Sequence, residues 1–454
     1  MVQRPMRSRL ATLLALAFPM VLARITQSVI TFADAVQVEH LGSGALAATA
    51  TGGLNVLGFV ILPQGIVFII QSFVAQLQGR GERQETPRFA IYGLMLAAAA
   101  GLAGLAAIPL IDTFLGLTSY SPAVRDDMAS YMSIRFLSIT AVVGIEALGN
   151  WYAGLGNTWM QMIAGIITMV VAVFCNWLLI DGHLGMTALG VDGAAWAAVI
   201  GSWLGFSFLL VARWRGWGNA PRATRLGLSM RELKRVIRFG LPEGLNLFLE
   251  FTAFQIFINL VLSHLGDETV AALNAVLAVN TVGFMPAFGL ASAGAILAAQ
   301  AIGRGDRSAV WPQVKTTLLC TLTWMGVMAV VYVLFPESIL SLFDTEHRSA
   351  HLVQIGTTML LISAAWQLFD ATAMTLAETL RAAGDTFWPA AARLALAWLV
   401  FTPTAVLVVL RWNGGSVGAM LCLVGYLALL AAALGYRFHS GAWRRIELIE
   451  PKLV

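Results

Sequence analysis

The sequence predicts an all-α integral membrane protein, with twelve transmembrane helices in two six-helix bundles related as parallel repeats. Three observations lead there. Hydrophobic residues make up 58% of the 454-residue chain and charged residues only 11%, where soluble domains run near ~25% charged; the mean hydropathy is +0.78. Apolar runs of about 20 residues, enough to cross the hydrocarbon core at ~1.5 Å per residue, recur from end to end. Finally, motifs of the first half return in the second at a nearly constant offset.

The predicted spans are 11–38, 45–78, 89–115, 128–150, 158–181, 190–212, 235–264, 269–302, 313–335, 352–381, 386–410 and 416–437. Several exceed the minimum length, which implies tilt or protrusion beyond the bilayer. The basic start MVQRPMRSRL is followed by no small-residue cleavage site, so its apolar run is expected to be a retained helix rather than a signal peptide. Basic residues alternate from side to side. Arg4, Arg7 and Arg9 precede the first span, and Arg80, Arg83 and Arg88 follow the second. Arg213, Arg215, Arg222, Arg225, Arg231, Lys234, Arg235 and Arg238 surround the central loop. Arg304, Arg307, Lys315 and Arg381 follow spans eight and ten, and Arg437, Arg444, Arg445 and Lys452 close the chain. Only Arg125, Arg348 and Arg411 fall on the other side. Cytoplasmic loops collect Lys and Arg, so both termini are expected in the cytoplasm, on the inner face of a cell membrane.

This divides the chain into an N-terminal lobe at 1–212, a basic cytoplasmic linker at 213–234, a C-terminal lobe at 235–437 and a cytoplasmic tail at 438–454. The linker ends on Ser229-Met-Arg-Glu232, a capping-box pattern that predicts a basic amphipathic helix running into span seven.

Repetition sets the topology. Pro19 and Pro242 are 223 residues apart, as are Pro63 and Pro286. The loop Ala75-Gln-Leu-Gln-Gly-Arg-Gly-Glu-Arg83 returns as Ala299-Gln-Ala-Ile-Gly-Arg-Gly-Asp-Arg307. Gly156-Asn157-Thr158 returns as Gly384-Asp385-Thr386, and Gly193-Ala194 as Gly418-Ala419. An even number of spans per repeat keeps both halves in one orientation. Their pseudo-two-fold axis then lies along the membrane normal, with a polar path between them.

Leu241 to Gly266, LPEGLNLFLEFTAFQIFINLVLSHLG, is the stretch around which the chemistry gathers. It can cross a bilayer, yet holds Glu250 near its middle, where a carboxylate costs about 2.5 kcal/mol or more to insert. Its counterpart Phe18 to Gly42 holds Asp34 and shares the His-Leu-Gly ending, and Asp370 lies in LISAAWQLFDATAMTLAETL. A carboxyl group in such a place can take up and release a proton. With neighbouring oxygens, Glu250 and Asp370 can instead hold a sodium ion. Asn176 reads as a cavity-facing amide or as glue between helices. Asn246, Gln255, Asn259, Asn274 and Asn280 offer a polar lining near Glu250, although Gln255 and Asn259 do not both share its helical face. Trp366 and Phe369 can receive a flat organic cation by cation–π contact. Pro19, Pro63, Pro242 and Pro286 free backbone carbonyls and read as static bends or as hinges for alternating access. Arg393 can pair with a carboxylate. Arg24 stands ten residues before Asp34, about 15 Å along a helix, too far for a direct pair. Glu146 and Glu378 read as interfacial acids.

Other functions are poorly matched. No GxxxxGK[ST] sequence is present to bind ATP, and no His/Cys cluster has metal spacing. Cys175, Cys320 and Cys422 all lie in apolar segments. The net charge of +4 comes from arginines flanking spans, not from a nucleic-acid-binding patch. An intramembrane aspartyl enzyme using Asp34 and Asp370 would carry a Gly-x-Gly-Asp type motif, which is absent.

These motifs, in this order, resemble the multidrug and toxic-compound extrusion (MATE) family, in its NorM-like branch. The likeness covers nearly the whole chain. It is carried by FPMVL through Asp34, AQLQGRGER, NWLLIDGHLGMTALGVDGAA from Asn176, LFLEFTAF with Glu250, AQAIGRGDR, and WQLFDATAMTLAETLRAAGDTFWP with Asp370. The resemblance implies that Asp34 is the family's helix-one acid, Asn176 its helix-five asparagine, and Glu250 with Asp370 its C-lobe pair. It implies a secondary antiporter that expels cationic, amphipathic compounds in exchange for inward Na⁺ or H⁺. Beyond the coupling ion, no cofactor or nucleic acid is expected, and the protein is expected to work as a monomer in the lipid bilayer. Trp366 stands where sodium-binding relatives often carry tyrosine, Arg24 is an unusual charge in helix one, and Ala153 replaces an acid found in some relatives. The alternative is a lipid-linked precursor flippase of the same superfamily, which would carry a strongly basic cavity.

Overall fold

The computed structural model describes residues 6–116, 118, 120–221, 227–341 and 350–449. Arg4, Arg222, Arg225, Arg348 and Lys452 of the charge pattern lie outside the described residues. Every regular element among the described residues is helical, as lipid requires of a chain that must satisfy its own backbone. The first half comprises α1 (Met6–Glu39), α2 (Ser43–Arg80), α3 (Pro87–Ala107), the short α4 (Ile111–Leu115), α5 (Pro122–Phe136), α6 (Ile139–Gly154), α7 (Trp159–Ile180) and α8 (Val191–Arg215). The second half comprises α9 (Met230–Ile256), α10 (Asp267–Gly303), α11 (Val310–Leu334), the short α12 (Pro336–Leu340), α13 (Ala350–Ala382), α14 (Phe387–Ala395), α15 (Thr402–Val406) and α16 (Gly415–His439).

Ten helices, among the described residues, are long and apolar enough to cross a membrane. An eleventh span is broken: α5 and α6 meet at 45°, where a single helix over 128–150 was expected. No proline causes the break. At the break the Arg135 carbonyl accepts from both the Ser138 N–H at 3.0 Å and the Ser138 hydroxyl at 2.7 Å, and the Leu137 carbonyl accepts from the Trp203 indole at 3.1 Å. The twelfth span is α9, continued by a π-helical turn at Phe257–Val261 and a 3₁₀ turn at Leu262–Leu265. Its hydropathy is diluted by Arg231, Glu232, Lys234, Arg235, Arg238, Glu243 and Glu250.

The start of α9 departs from the reciprocal capping box. Ser229 Oγ accepts from the Arg231 N–H at 3.3 Å, as a cap should. Glu232, however, does not reach back to Ser229. It accepts from the Tyr92 hydroxyl at 2.9 Å and pairs with Arg88 at 3.0 Å, while the Ser229 N–H donates to the same tyrosine at 2.8 Å. The tyrosine of α3 thus stands in for the missing arm of the box and ties α9 to α3.

The repeat is visible in local geometry. Gly42 and Gly266, which close the two His-Leu-Gly endings, have φ of 103° and 95°; Gly81 and Gly305 in the matched loops have φ of 79° and 78°. Such angles admit glycine at little cost. The loops differ in one respect. Asp306 accepts from the Ser308 hydroxyl at 2.6 Å and the Ala309 N–H at 3.1 Å. The serine bond above all holds its carboxyl below the usual aspartate range. Glu82 in the first loop makes no such cap.

By contacts, the chain forms two compact units, Met1–Val21 with Leu245–Val454, and Leu22–Gly244. Both divisions fall two residues beyond a matched proline, Pro19 in α1 and Pro242 in α9. Within the second of these units, α9 crosses α2 at backbone distance. A Cβ on Gly240 would meet the Ile66 carbonyl oxygen at 2.4 Å, and one on Gly244 the Leu62 carbonyl oxygen at 2.5 Å. Within the first unit, a Cβ on Gly289 of α10 would stand 3.1 Å from the Val21 nitrogen of α1. Residues 21 and 289 are the repeat-mates of 244 and 66, so the same crossing is built twice, with the glycine on opposite partners. Small residues at helix crossings replace the hydrophobic drive that lipid does not supply.

Candidate functional site

In the unit holding Leu245–Val454, five helices enclose a cavity of about 380 Å³. Four of them contribute residues spaced to share one helical face. From α9 come Glu250 and Phe254; from α10, Leu277, Asn280, Thr281 and Phe284; from α13, Trp366, Gln367 and Asp370. Met325 of α11 and Leu423, Tyr426 and Leu427 of α16 complete the lining. The wall is therefore aromatic and aliphatic, with two carboxylates and two amides facing inward.

Glu250 is the most heavily engaged of these groups. Its Oε2 accepts from Arg393 Nη1 of α14 at 3.0 Å, and its Oε1 from the Tyr426 hydroxyl at 3.1 Å. The expectation that Arg393 pairs with a carboxylate is met. Asp370 lies within electrostatic reach of both Glu250 and Arg393. Opposite them, Asn280 donates to the Val276 carbonyl at 2.8 Å and to Ser363 at 3.3 Å, and accepts from Gln367 Nε2. This fixes the Gln367 amide with its Oε1 buried and without a hydrogen-bond partner. A buried acceptor left open in this way calls for a donor from a ligand or water. Among the described residues no group of three or more His, Cys, Asp or Glu side chains is placed to hold a metal ion. The carboxylate oxygens of Glu250 and Asp370 and the open Gln367 Oε1 are among the hard oxygens the cavity offers a small cation.

A second polar site lies in the other unit. Asn176, fully buried on α7, donates to Asp34 Oδ1 of α1 at 2.5 Å. One turn on, Gln37 Nε2 reaches the Val173 carbonyl at 3.4 Å. The carbonyl oxygens of Asn176 and Gln37 are both buried without partners. Arg135 acts on Asp34 electrostatically. Arg24 is no partner of Asp34. It pairs with Glu146 of α6 at 3.2 Å and lies 5.8 Å from the Phe68 ring. Glu146 and Glu378, read as interfacial, are thus both ion-paired: Glu378 is buried against Arg381 on its own helix.

The remaining sequence candidates divide. Trp366 and Asn280 line the cavity; Gln255 does not, lying one residue beyond Phe254 on the flank of α9. Asn274 shares the stripe of Leu277 but sits a turn outside the cavity and is exposed. Phe369 is also exposed, at 39%. The Asn259 side chain lies outside the described residues. Pro19, Pro63, Pro242 and Pro286 all fall inside continuous helices. Sequence reasoning missed Tyr426, Gln367, Phe254 and Phe284. Spacing was the available signal, since Phe254 is four residues from Glu250 and Gln367 three from Asp370.

The chain also has recognisable relatives. A family model described as MatE matches residues 19–178 and 243–407, one stretch in each repeat. The chain is 26% identical over 442 residues to the probable multidrug resistance protein NorM of Chromobacterium violaceum, covering 95% of this chain and 94% of that one. It is 27% identical over 386 residues to the multidrug resistance protein PmpM of Pseudomonas aeruginosa, covering 84% and 80%. A crystal structure of MATE in complex with MaL6 superimposes with a TM-score of 0.88 at 18% identity, covering 96% and 98% of the two chains, so the fold is shared.

Proposed function

Because this chain belongs to the MatE family of multidrug efflux transporters, we propose that it exports cationic or amphipathic organic compounds by antiport against inward Na⁺ or H⁺. One observation carries the reading: two carboxylates, Glu250 and Asp370, line the same cavity as Trp366, Tyr426, Phe254 and Phe284. Aromatic faces and negative charge together select a desolvated organic cation. A lining of this sign does not suit the anionic headgroup of a lipid-linked precursor.

In this reading the carboxylates hold substrate and coupling ion by turns. Arg393 offsets one of the two charges on Glu250 and Asp370; a proton or sodium ion arriving from outside cancels the other, or a proton neutralises Asp34, and the substrate cation loses its attraction and leaves. Release of the ion on the cytoplasmic side restores the negative charge for the next substrate. Each net elementary charge carried inward across 100 mV contributes about 2.3 kcal/mol, so the potential adds to the ion gradient when more coupling charge enters than substrate charge leaves. Pro19 and Pro242 act as hinges where α1 and α9 pass from one compact unit to the other. Both termini lie in the cytoplasm, and a single chain is sufficient.

The test is ethidium transport in proteoliposomes with sodium and pH gradients imposed separately. One of the two gradients is expected to drive ethidium movement, with the drive lost in Glu250→Gln and in Asp370→Asn. Ion-driven movement that survives unchanged in both variants and in Asp34→Asn overturns the proposal.

A further inference from the structure

We propose that Arg393 is a tethered competitor for Glu250: its guanidinium occupies the carboxylate in the resting cavity, and an organic cation binds by taking its place. The proposal rests on the antiport reading and names a residue that sets the affinity of its site for organic cations. Glu250 lines the cavity, and Arg393 reaches it without being part of the lining. Their side chains are 35% and 18% exposed, so the pair is shielded but not sealed. Both oxygens of Glu250 already carry a donor, Arg393 on one and Tyr426 on the other. An incoming cation therefore meets a carboxylate whose charge is balanced by a group as flat and as cationic as the ligand the cavity suits.

Displacement needs somewhere for the guanidinium to go and a scaffold that allows the shift. Asp370, within electrostatic reach of Arg393, is the next acid available to it. The charged and titratable groups facing Glu250 are then Arg393 of α14, Asp370 of α13 and Tyr426 of α16; α10 and α11 offer only uncharged residues such as Asn280, Thr281 and Met325. The scaffold loosens on both sides of the pair. α9 passes into π-helix at Phe257, seven residues after Glu250, and α14 at Leu396, three residues after Arg393. These two irregular turns touch, with the Phe257 and Phe401 rings 5.0 Å apart, and Phe401 lies 5.5 Å from the Tyr426 ring. π-Helical turns in otherwise regular helices mark sites of functional adjustment. Here they sit beside the one ion pair that a ligand would have to break.

The test is equilibrium binding of tetraphenylphosphonium to the purified full-length protein at fixed pH and sodium. If Arg393 holds Glu250 in about nine of ten molecules, Arg393→Gln lowers the apparent Kd by about tenfold. Arg393→Lys, which keeps the charge but loses the planar fork, falls between the two. In a Glu250→Gln background the Arg393→Gln change gives much less tightening, because the carboxylate that guanidinium and ligand compete for is gone. Equal or weaker binding by Arg393→Gln, or equal tightening in both backgrounds, overturns the proposal. Should Arg393→Gln prove too unstable to purify, Arg393→Lys decides alone: it must bind more tightly than the wild type. Wild-type protein that binds no tetraphenylphosphonium and transports no ethidium removes the antiport reading, and this proposal with it. Wild-type binding that no Arg393 variant changes removes this proposal alone.

Discussion

Asn176 donates its amide to Asp34 across 2.5 Å, linking α7 to α1 through two side chains 142 positions apart in sequence. The bond orients a membrane carboxylate and leaves the other end of the amide, a buried oxygen, without a partner. Replacing Asn176 by Ala strands Asp34 without its donor. The expected cost is about 1–3 kcal/mol of stability, read as a lower melting temperature in detergent, together with loss of ion-driven ethidium transport. Asn176→Ala protein that transports and melts like the wild type would count against any role for the pair.

The doubled crossing gives a prediction about packing. A methyl group on Gly244 would meet the Leu62 carbonyl oxygen at 2.5 Å, and one on Gly289 the Val21 Cγ2 at 2.8 Å. Gly244→Ala meets backbone, which cannot rotate away, and is expected to destabilise by about 1–3 kcal/mol. Gly289→Ala meets a side chain first and should cost less. The check is the order of the two melting temperatures in detergent.

The prolines separate a hinge from a static bend. Pro19→Ala and Pro242→Ala restore a helix N–H and remove a ring that clashes with the preceding turn. If the two positions serve as hinges, ethidium transport slows severalfold while the melting temperature holds or rises. If they are static bends, transport keeps its wild-type rate.

The spans were legible because lipid imposes a long apolar window, and the acids because each interrupts such a window. The bundle topology was legible in the matched prolines and loops. What escaped depends on contacts that no local window contains. That Arg393 pairs with a carboxylate was legible, but not which one, since Glu250 lies 143 positions away; Tyr426, 176 positions from Glu250, gave no signal at all. At the break between α5 and α6 the Leu137 carbonyl is satisfied by Trp203, 66 residues further along the chain. Glu232 looked like half of a capping box because the sequence cannot reveal that Tyr92 stands in its way. Asn274 fits the helical stripe of the cavity and fails only because the cavity ends one turn earlier.

The central claim is that one set of carboxylates serves substrate and coupling ion by turns. The direct measurement is tetraphenylphosphonium binding to purified wild-type protein while sodium and pH are varied one at a time. The account predicts that raising the coupling ion, whichever of the two it is, releases the bound cation, and that the double variant Glu250→Gln/Asp370→Asn neither binds tightly nor responds. Tight binding in wild type that neither sodium nor pH alters, and that persists in the double variant, would contradict it.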